Sequence, residues 1–257
     1  MTALITGASS GIGLEMARVF ADHGHDVVLV ARSEGKLQSL AAELEKKGVR
    51  AHVVAADLSA ADGPKTVVDI VNQRGIVVDI LVNNAGYGLF GSFLETSLDA
   101  ELAMIHLNVV ALTDLTKRLL PPMVARKSGR ILNVASTAAF LPGPLMAVYY
   151  ATKAYVLSFS EAIANELSGT GVTVTVLAPG PTASGFQAAA SLEDSKLVAG
   201  KTLATSREVA LAAYHGVMSG ESLVIPGLVN KMTAQMHRWL PRRMVTQLVR
   251  GAQERRH

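Results

Sequence analysis

The chain has 257 residues, enough for one large domain or two small ones. Hydrophobic residues make up 49% and charged residues 18%, which describes a folded core and excludes a disordered, collagen-like or coiled-coil chain; the absence of cysteine excludes disulfides, thiolate metal sites and a cysteine nucleophile. A net charge of +3 is too small to argue for nucleic acid, but it is unevenly spread: from Asn230 to His257 seven Lys and Arg face one acid, Glu254, so this tail is six charges positive and the rest of the chain is at −3.

Met1 to Ile5 carries no basic stretch or apolar leader, so no targeting segment is expected. The first predicted strand, Thr2–Thr6, runs into a glycine-rich turn and a helix over about Gly11–His23. Strands follow at Asp26–Ala31, Arg50–Ala55, Asp79–Asn83, Gly129–Ala135, Val172–Leu177 and Ser222–Pro226. Most are apolar throughout, as strands covered on both faces are. Between them the helical period predicts helices at about Glu34–Lys47, Gly63–Arg74, Leu98–Ala125, Tyr150–Leu167 and Ser206–Ser219. Gly24 and Gly48 suit left-handed helix ends, and Thr205 with Glu208 forms a capping box.

The alternation gives an α/β fold, a single doubly wound parallel sheet of about seven strands with helices on both faces. Residues 1–229 form the main domain and 230–257 a C-terminal helical extension of it. The irregular stretches Tyr87–Ser97 and Pro179 to about Thr205 leave from carboxyl ends of strands, where ligands sit in open parallel sheets. The uncharged stretches Ile131–Thr152 and Leu167–Leu192 contain Pro142, Pro144, Pro179 and Pro181, which argues against membrane spans and for a soluble protein, while the absence of cysteine fits a reducing cytosol, so a cytoplasmic location is expected.

After the first strand come Gly7, Ser9, Ser10, Gly11, Ile12 and Gly13. Glycines here let the backbone approach a pyrophosphate at the free N–H groups of a helix start, although a strand–loop–helix alone is equally a structural turn. The second strand ends at Ala31-Arg32-Ser33, about 18 residues after Gly13. A protein selecting NAD places an acid near that tip. Here the tip carries Arg32, and with Ser9, Ser10 and Lys36 it suits the 2′-phosphate of NADP, so NADPH is expected to be preferred over NADH.

These motifs resemble the short-chain dehydrogenase/reductase family. The match continues in order through Asp57-Leu58, Asn84-Ala85-Gly86, Asn108, Ser136, Tyr149-x-x-x-Lys153 and Pro179-Gly180-Pro181-Thr182, spanning residues 2 to about 226. The resemblance implies a Rossmann-type fold and a homodimer or homotetramer. It also implies that Asp57 bonds the adenine amino group, that Asn84, Ala85 and Gly86 pack a cofactor ribose, and that Pro179, Gly180 and Thr182 border the nicotinamide. Ser136 would bond the substrate oxygen, Lys153 the ribose hydroxyls, and Asn108 a water leading to Lys153.

Tyr149 and Lys153 are four apart, so a helix puts them on one face about 6 Å apart. A nearby ammonium is expected to lower the phenol toward neutrality and make Tyr149 the acid for a carbonyl being reduced, or the base for the reverse. The seven histidines include no i, i+4 pair, so no metal is proposed. The reading is an NADPH-dependent reductase of a ketone or aldehyde, or a secondary-alcohol dehydrogenase; a dinucleotide sensor without catalysis and a dehydratase or epimerase on the same scaffold are the alternatives. Leu89, Phe90, Phe93 and Phe140 to Met146 suggest an apolar substrate or an interface. In the tail, Met232, Met236, Trp239 and Leu240, then Met244, Val245, Leu248 and Val249, predict two amphipathic helices parted near Pro241, which suits the first position of the second. These pack on the core or a neighbouring subunit, or cover the substrate pocket or rest on anionic lipid as a peripheral contact.

Overall fold

The computed structural model describes residues 1–184 and 203–254. Most of the irregular stretch after Pro179, and Arg255 and Arg256 of the tail, lie outside the described residues. Strands β1 (Thr2–Thr6), β2 (Asp26–Ala31), β3 (Ala51–Ala55), β4 (Ile80–Asn83), β5 (Gly129–Val134), β6 (Val172–Leu177) and β9 (Leu223–Val224) form one sheet in the order β3-β2-β1-β4-β5-β6-β9, parallel throughout. A small pair not foreseen from the sequence, β7 (Thr182–Ala183) and β8 (Ala204–Thr205), stands apart.

Side chains alternate between the two faces, as the two-residue period of a strand requires. Ala3, Ile5, Val27 and Leu29 pack into one buried layer under α1 (Gly11–Asp22), α2 (Glu34–Glu45) and α7 (Ser206–Ser219). Leu4, Val28, Val30 and Leu81 pack into the other, under α3 (Gly63–Gln73), α5 (Leu112–Ala125) and α6 (Ala147–Glu166). This is the Rossmann-type architecture. Strand order reverses between β1 and β4, the place beyond the carboxyl ends of the strands where open parallel sheets form a ligand crevice.

Gly24 and Gly48 close α1 and α2 at φ +77° and +85°, and the Thr205 capping box is complete. Three expectations need correction. The long helix over Leu98–Ala125 is not uniformly α: α4 (Leu98–Ile105) passes into a π-helical turn, His106–Ala111, before α5. The hydrophobic period reads straight through such a turn because one wide turn barely shifts the apolar stripe. Helix α6 starts at Ala147 rather than Tyr150, so Tyr149 lies inside it. In the tail, α8 (Leu228–Gln235) and α9 (Arg242–Gln253) flank Pro241, which caps α9 rather than opening it, its ψ of 138° being extended. No described helix is long and apolar enough to cross a membrane.

Candidate active site

Gly7 turns the chain at φ +68°, and a Cβ on Gly13 would sit 2.4 Å from the Gly7 carbonyl oxygen, so the loop closes tightly on the first turn of α1. No side chain caps that turn and no acid lies in it, which leaves N–H groups and a positive dipole end facing the crevice. A residue the sequence did not single out joins this loop to the next motif. Thr6 Oγ1 accepts the backbone N–H groups of Asn84 and Ala85 at 2.9 and 3.0 Å and donates to Val82 O, while Asn84 Nδ2 donates to Thr6 O at 2.9 Å. The Asn84-Ala85-Gly86 turn is thereby fixed beside the glycine loop. The structure therefore offers the cradle that a dinucleotide pyrophosphate requires, in residues and in shape.

At the tip of β2, Arg32 is exposed, and its charge acts on both Asp57 and Tyr87. Glu34, the nearest acid along the chain, accepts from Gln38 Nε2 one turn along α2. Lys36 is exposed on the same helix. Asp57 binds its own turn rather than a helix start: Oδ1 accepts Ser59 Oγ at 2.6 Å and Ser59 N at 2.9 Å, and these bonds hold its carboxyl below the usual range. Leu58 is buried behind it.

The four catalytic candidates come together over the ends of β4, β5 and β6. Ser136 begins a 3₁₀ turn, Thr137–Phe140, its Oγ accepting Ala138 N at 3.1 Å and lying 3.4 Å from Pro179 O. The Tyr149 hydroxyl lies near Ser136, whose hydroxyl favours the phenolate. Lys153 lies one turn along α6, its Nζ donating to Val134 O at 2.8 Å and standing 5.8 Å from the Tyr149 ring centre. Asn108, in the π turn, accepts from Tyr87 N and donates to Tyr87 O and to Thr152 Oγ1. Thr152 in turn donates to Tyr149 O at 2.7 Å. Thr152 is a second residue missed from sequence; its signal, one position before Lys153, is legible only once the helix is placed. Pro179 and Thr182 are buried at this end, and Gly180 is packed closely by Asn230 of α8.

The expected lowering of the Tyr149 phenol does not hold in this arrangement. Burial pushes it above the ordinary tyrosine value, opposed in part by the nearby Ser136 hydroxyl, because a dry site penalises the phenolate. The same burial pulls Lys153 down to about 8. With an unfolded value near 10.4, the unfolded chain binds the extra proton between about pH 8 and 10.4, so this group adds stability as pH rises through that window, on the order of 3 kcal/mol. Denaturation midpoints of the cofactor-free protein measured across that window are expected to rise more steeply than those of Lys153→Met.

The sequence profile of the family described as short chain dehydrogenase matches residues 1–195. This chain belongs to the short-chain dehydrogenase family. Among the relatives, the oxidoreductase UcpA of Escherichia coli K12 is 35% identical over 243 residues, covering 89% of this chain and 91% of its own. The mouse 17-beta-hydroxysteroid dehydrogenase type 3 is 38% identical over 183 residues, 69% of this chain and 58% of its own. The chain likewise covers 59% of a Pseudocercospora fijiensis short chain dehydrogenase, so it spans about three fifths of these two relatives. A solved short-chain dehydrogenase from Sphingobium yanoikuyae in complex with NADPH superposes with a TM-score of 0.82 at 33% identity, covering 93% and 96% of the two chains.

Beyond the family core, the tail adds a wall to this site. Val245 and Val249 of α9, with Met236 and Leu240, join Met104, Met146, Tyr149 and Tyr150 in one apolar cluster that also takes in Leu89, Phe90 and Leu141. The Tyr150 ring lies against Gly143, where a Cβ would come within 2.2 Å of it, and its hydroxyl accepts Gln253 Nε2 at 2.5 Å. Leu145 in the same loop is held at φ +68°, its carbonyl accepting Gly91 N, a strained conformation of the kind that collects at ligand clamps. Tyr150→Phe would leave the buried Gln253 amide with neither partner, since its Oε1 has none already. That variant is expected to lose about 1–3 kcal/mol in urea unfolding while keeping turnover.

Proposed function

We propose that this protein is an NADPH-dependent oxidoreductase that reduces a ketone or aldehyde, or oxidises the corresponding secondary alcohol, on an apolar substrate. The observation that carries this reading is the buried Tyr149 with Ser136 near its hydroxyl and Lys153 one helical turn away, 5.8 Å from the ring centre. Bound NADPH supplies the hydride. The Gly7–Gly13 loop and the start of α1 hold the pyrophosphate, Arg32 with Ser9 and Ser10 the 2′-phosphate, Asp57 the adenine, and Asn84 to Gly86 with Lys153 the ribose face.

Ser136 donates to the carbonyl oxygen and steadies charge as it develops there. Tyr149 gives its hydroxyl proton to that oxygen as the carbon takes hydride, and Lys153 stabilises the phenolate left behind. A phenol raised by burial stays protonated at neutral pH, which suits the reducing direction. Asn108 and Thr152 hold the backbone under Tyr149 and Tyr87 in place. The cluster of Leu89, Phe90, Leu141 and Met146 supports an apolar substrate, as do the names of two similar proteins, the mouse 17-beta-hydroxysteroid dehydrogenase and a solved 7beta-hydroxysteroid dehydrogenase at 29% identity and TM-score 0.86.

Leu98, Leu102, Val110 and Tyr155 expose apolar surface along α4, the π turn and α6, which supports a dimer or tetramer. Following nicotinamide absorbance while NADPH meets a panel of small and bulky ketones and aldehydes tests the reading. Oxidation of NADPH by an apolar carbonyl is expected, and failure with every member despite NADPH binding would overturn it.

A further inference from the structure

The C-terminal extension uses only half of its apolar surface to cover the site. On α9, Val245, Val249 and Gln253 are buried, whereas Met244 and Leu248, one residue ahead of Val245 and Val249, carry the apolar arc out into solvent at 48% and 52% exposure. On α8 the larger apolar side chains face outward: Leu228 is 78% exposed, Val229 75% and Met232 74%, while the small Ala234 is the residue that is buried. Trp239, in the short connection between the two helices, is 83% exposed. An outward-facing Trp with five exposed aliphatic side chains on one short segment is unusual for a surface meant only for water.

The same segment carries exposed Lys231, Arg238, Arg242, Arg243 and Arg250. Its one acid, Glu254, stands 4.0 Å from Arg250. We propose that this extension is a docking surface for an anionic lipid membrane, with Trp239, Met232, Met244 and Leu248 entering the interfacial layer and the arginines meeting lipid phosphates. Two arguments select this occupant. A second copy docked by two-fold symmetry would bring one cationic patch against another, a like-charge contact, whereas an anionic leaflet complements it. The mixture of unbranched thioethers, a tryptophan and flanking cations on short helices also suits an interface that is apolar on one side and charged on the other. Because α9 also walls the Tyr149 cluster, an apolar carbonyl dissolved in the membrane would meet the pocket from the docked side.

Trp239 is the single tryptophan of the chain, so its emission reports docking directly. With phosphatidylcholine vesicles containing about 30 mol % phosphatidylglycerol, the full-length protein is expected to co-sediment and its emission to shift to the blue; about 1 M salt should reverse most of the binding, and pure phosphatidylcholine should produce little. Arg242→Gln with Arg243→Gln should weaken partition about 25-fold, at roughly fivefold per cation. NADPH binding and turnover of a water-soluble carbonyl should stay unchanged in this variant. No blue shift with the anionic vesicles would overturn the proposal. So would equal binding to both vesicle types, or a shift that appears without vesicles as protein concentration rises, which would assign the patch to a second copy. If the double variant fails to fold, the lipid-composition and salt series on the wild type decide alone.

Discussion

Tyr149→Phe is expected to abolish carbonyl reduction, lowering kcat by at least 10²–10⁴-fold, the range that positioned proton transfer supplies. The substitution keeps the ring in its buried cluster beside Met104 and Met146 and removes only the hydroxyl near Ser136. NADPH affinity, measured by quenching of protein fluorescence, should therefore move by less than about twofold, because Tyr149, also expected among the cofactor-binding residues, keeps its ring, and Lys153 and the glycine loop stay intact. Lys153→Ala should damage both quantities, since its Nζ serves the phenolate and the ribose together. Tyr150→Phe is the control for position: Tyr150 is the neighbouring phenol, its ring centre 6.0 Å away, but its hydroxyl is committed to Gln253. Turnover retained in Tyr149→Phe and lost in Tyr150→Phe would exchange the two roles and sink the assignment.

Arg32→Asp is expected to reverse cofactor choice. In the wild type kcat/KM should favour NADPH over NADH by about 10–100-fold, the worth of one or two charge-assisted bonds to a 2′-phosphate. The variant loses those bonds and sets a carboxylate against the phosphate, while giving the free 2′-hydroxyl of NADH an acceptor. Two features make the tip of β2 read this way. Arg32 is exposed and faces the Asp57 side of the crevice, and the only acid close by in sequence, Glu34, is engaged along α2 with Gln38. Steady-state kinetics with both cofactors on both proteins decides it. A wild type that prefers NADH would show that Arg32 is merely a solvated surface residue.

The alternation of apolar runs with helical periods was sufficient to determine the parallel sheet, its helical faces and the glycine loop. Each of these depends on local spacing: period two, period 3.6, and glycine where the backbone must turn or be approached. The same holds for Tyr149 and Lys153, which any helix brings to one face, and for the Thr205 capping box, whose partners lie three residues apart. Tertiary structure decided what depends on partners distant in the chain. Thr6 ties the glycine loop to Asn84 across a sequence gap that no periodicity encodes. Thr152 becomes a support only because the π turn aims Asn108 at it. The ionisation of Tyr149 went the opposite way from the pairwise expectation because burial, a property of the whole fold, dominates and Ser136 offsets it only in part. The tail was legible as amphipathic, but which half of each apolar face would be covered was not. That choice was made by the Tyr149 cluster, which takes Val245, Val249 and Gln253 and leaves Met244, Leu248 and Trp239 to the solvent, because a hydrophobic stripe specifies that something must be buried and only the packed neighbours specify against what.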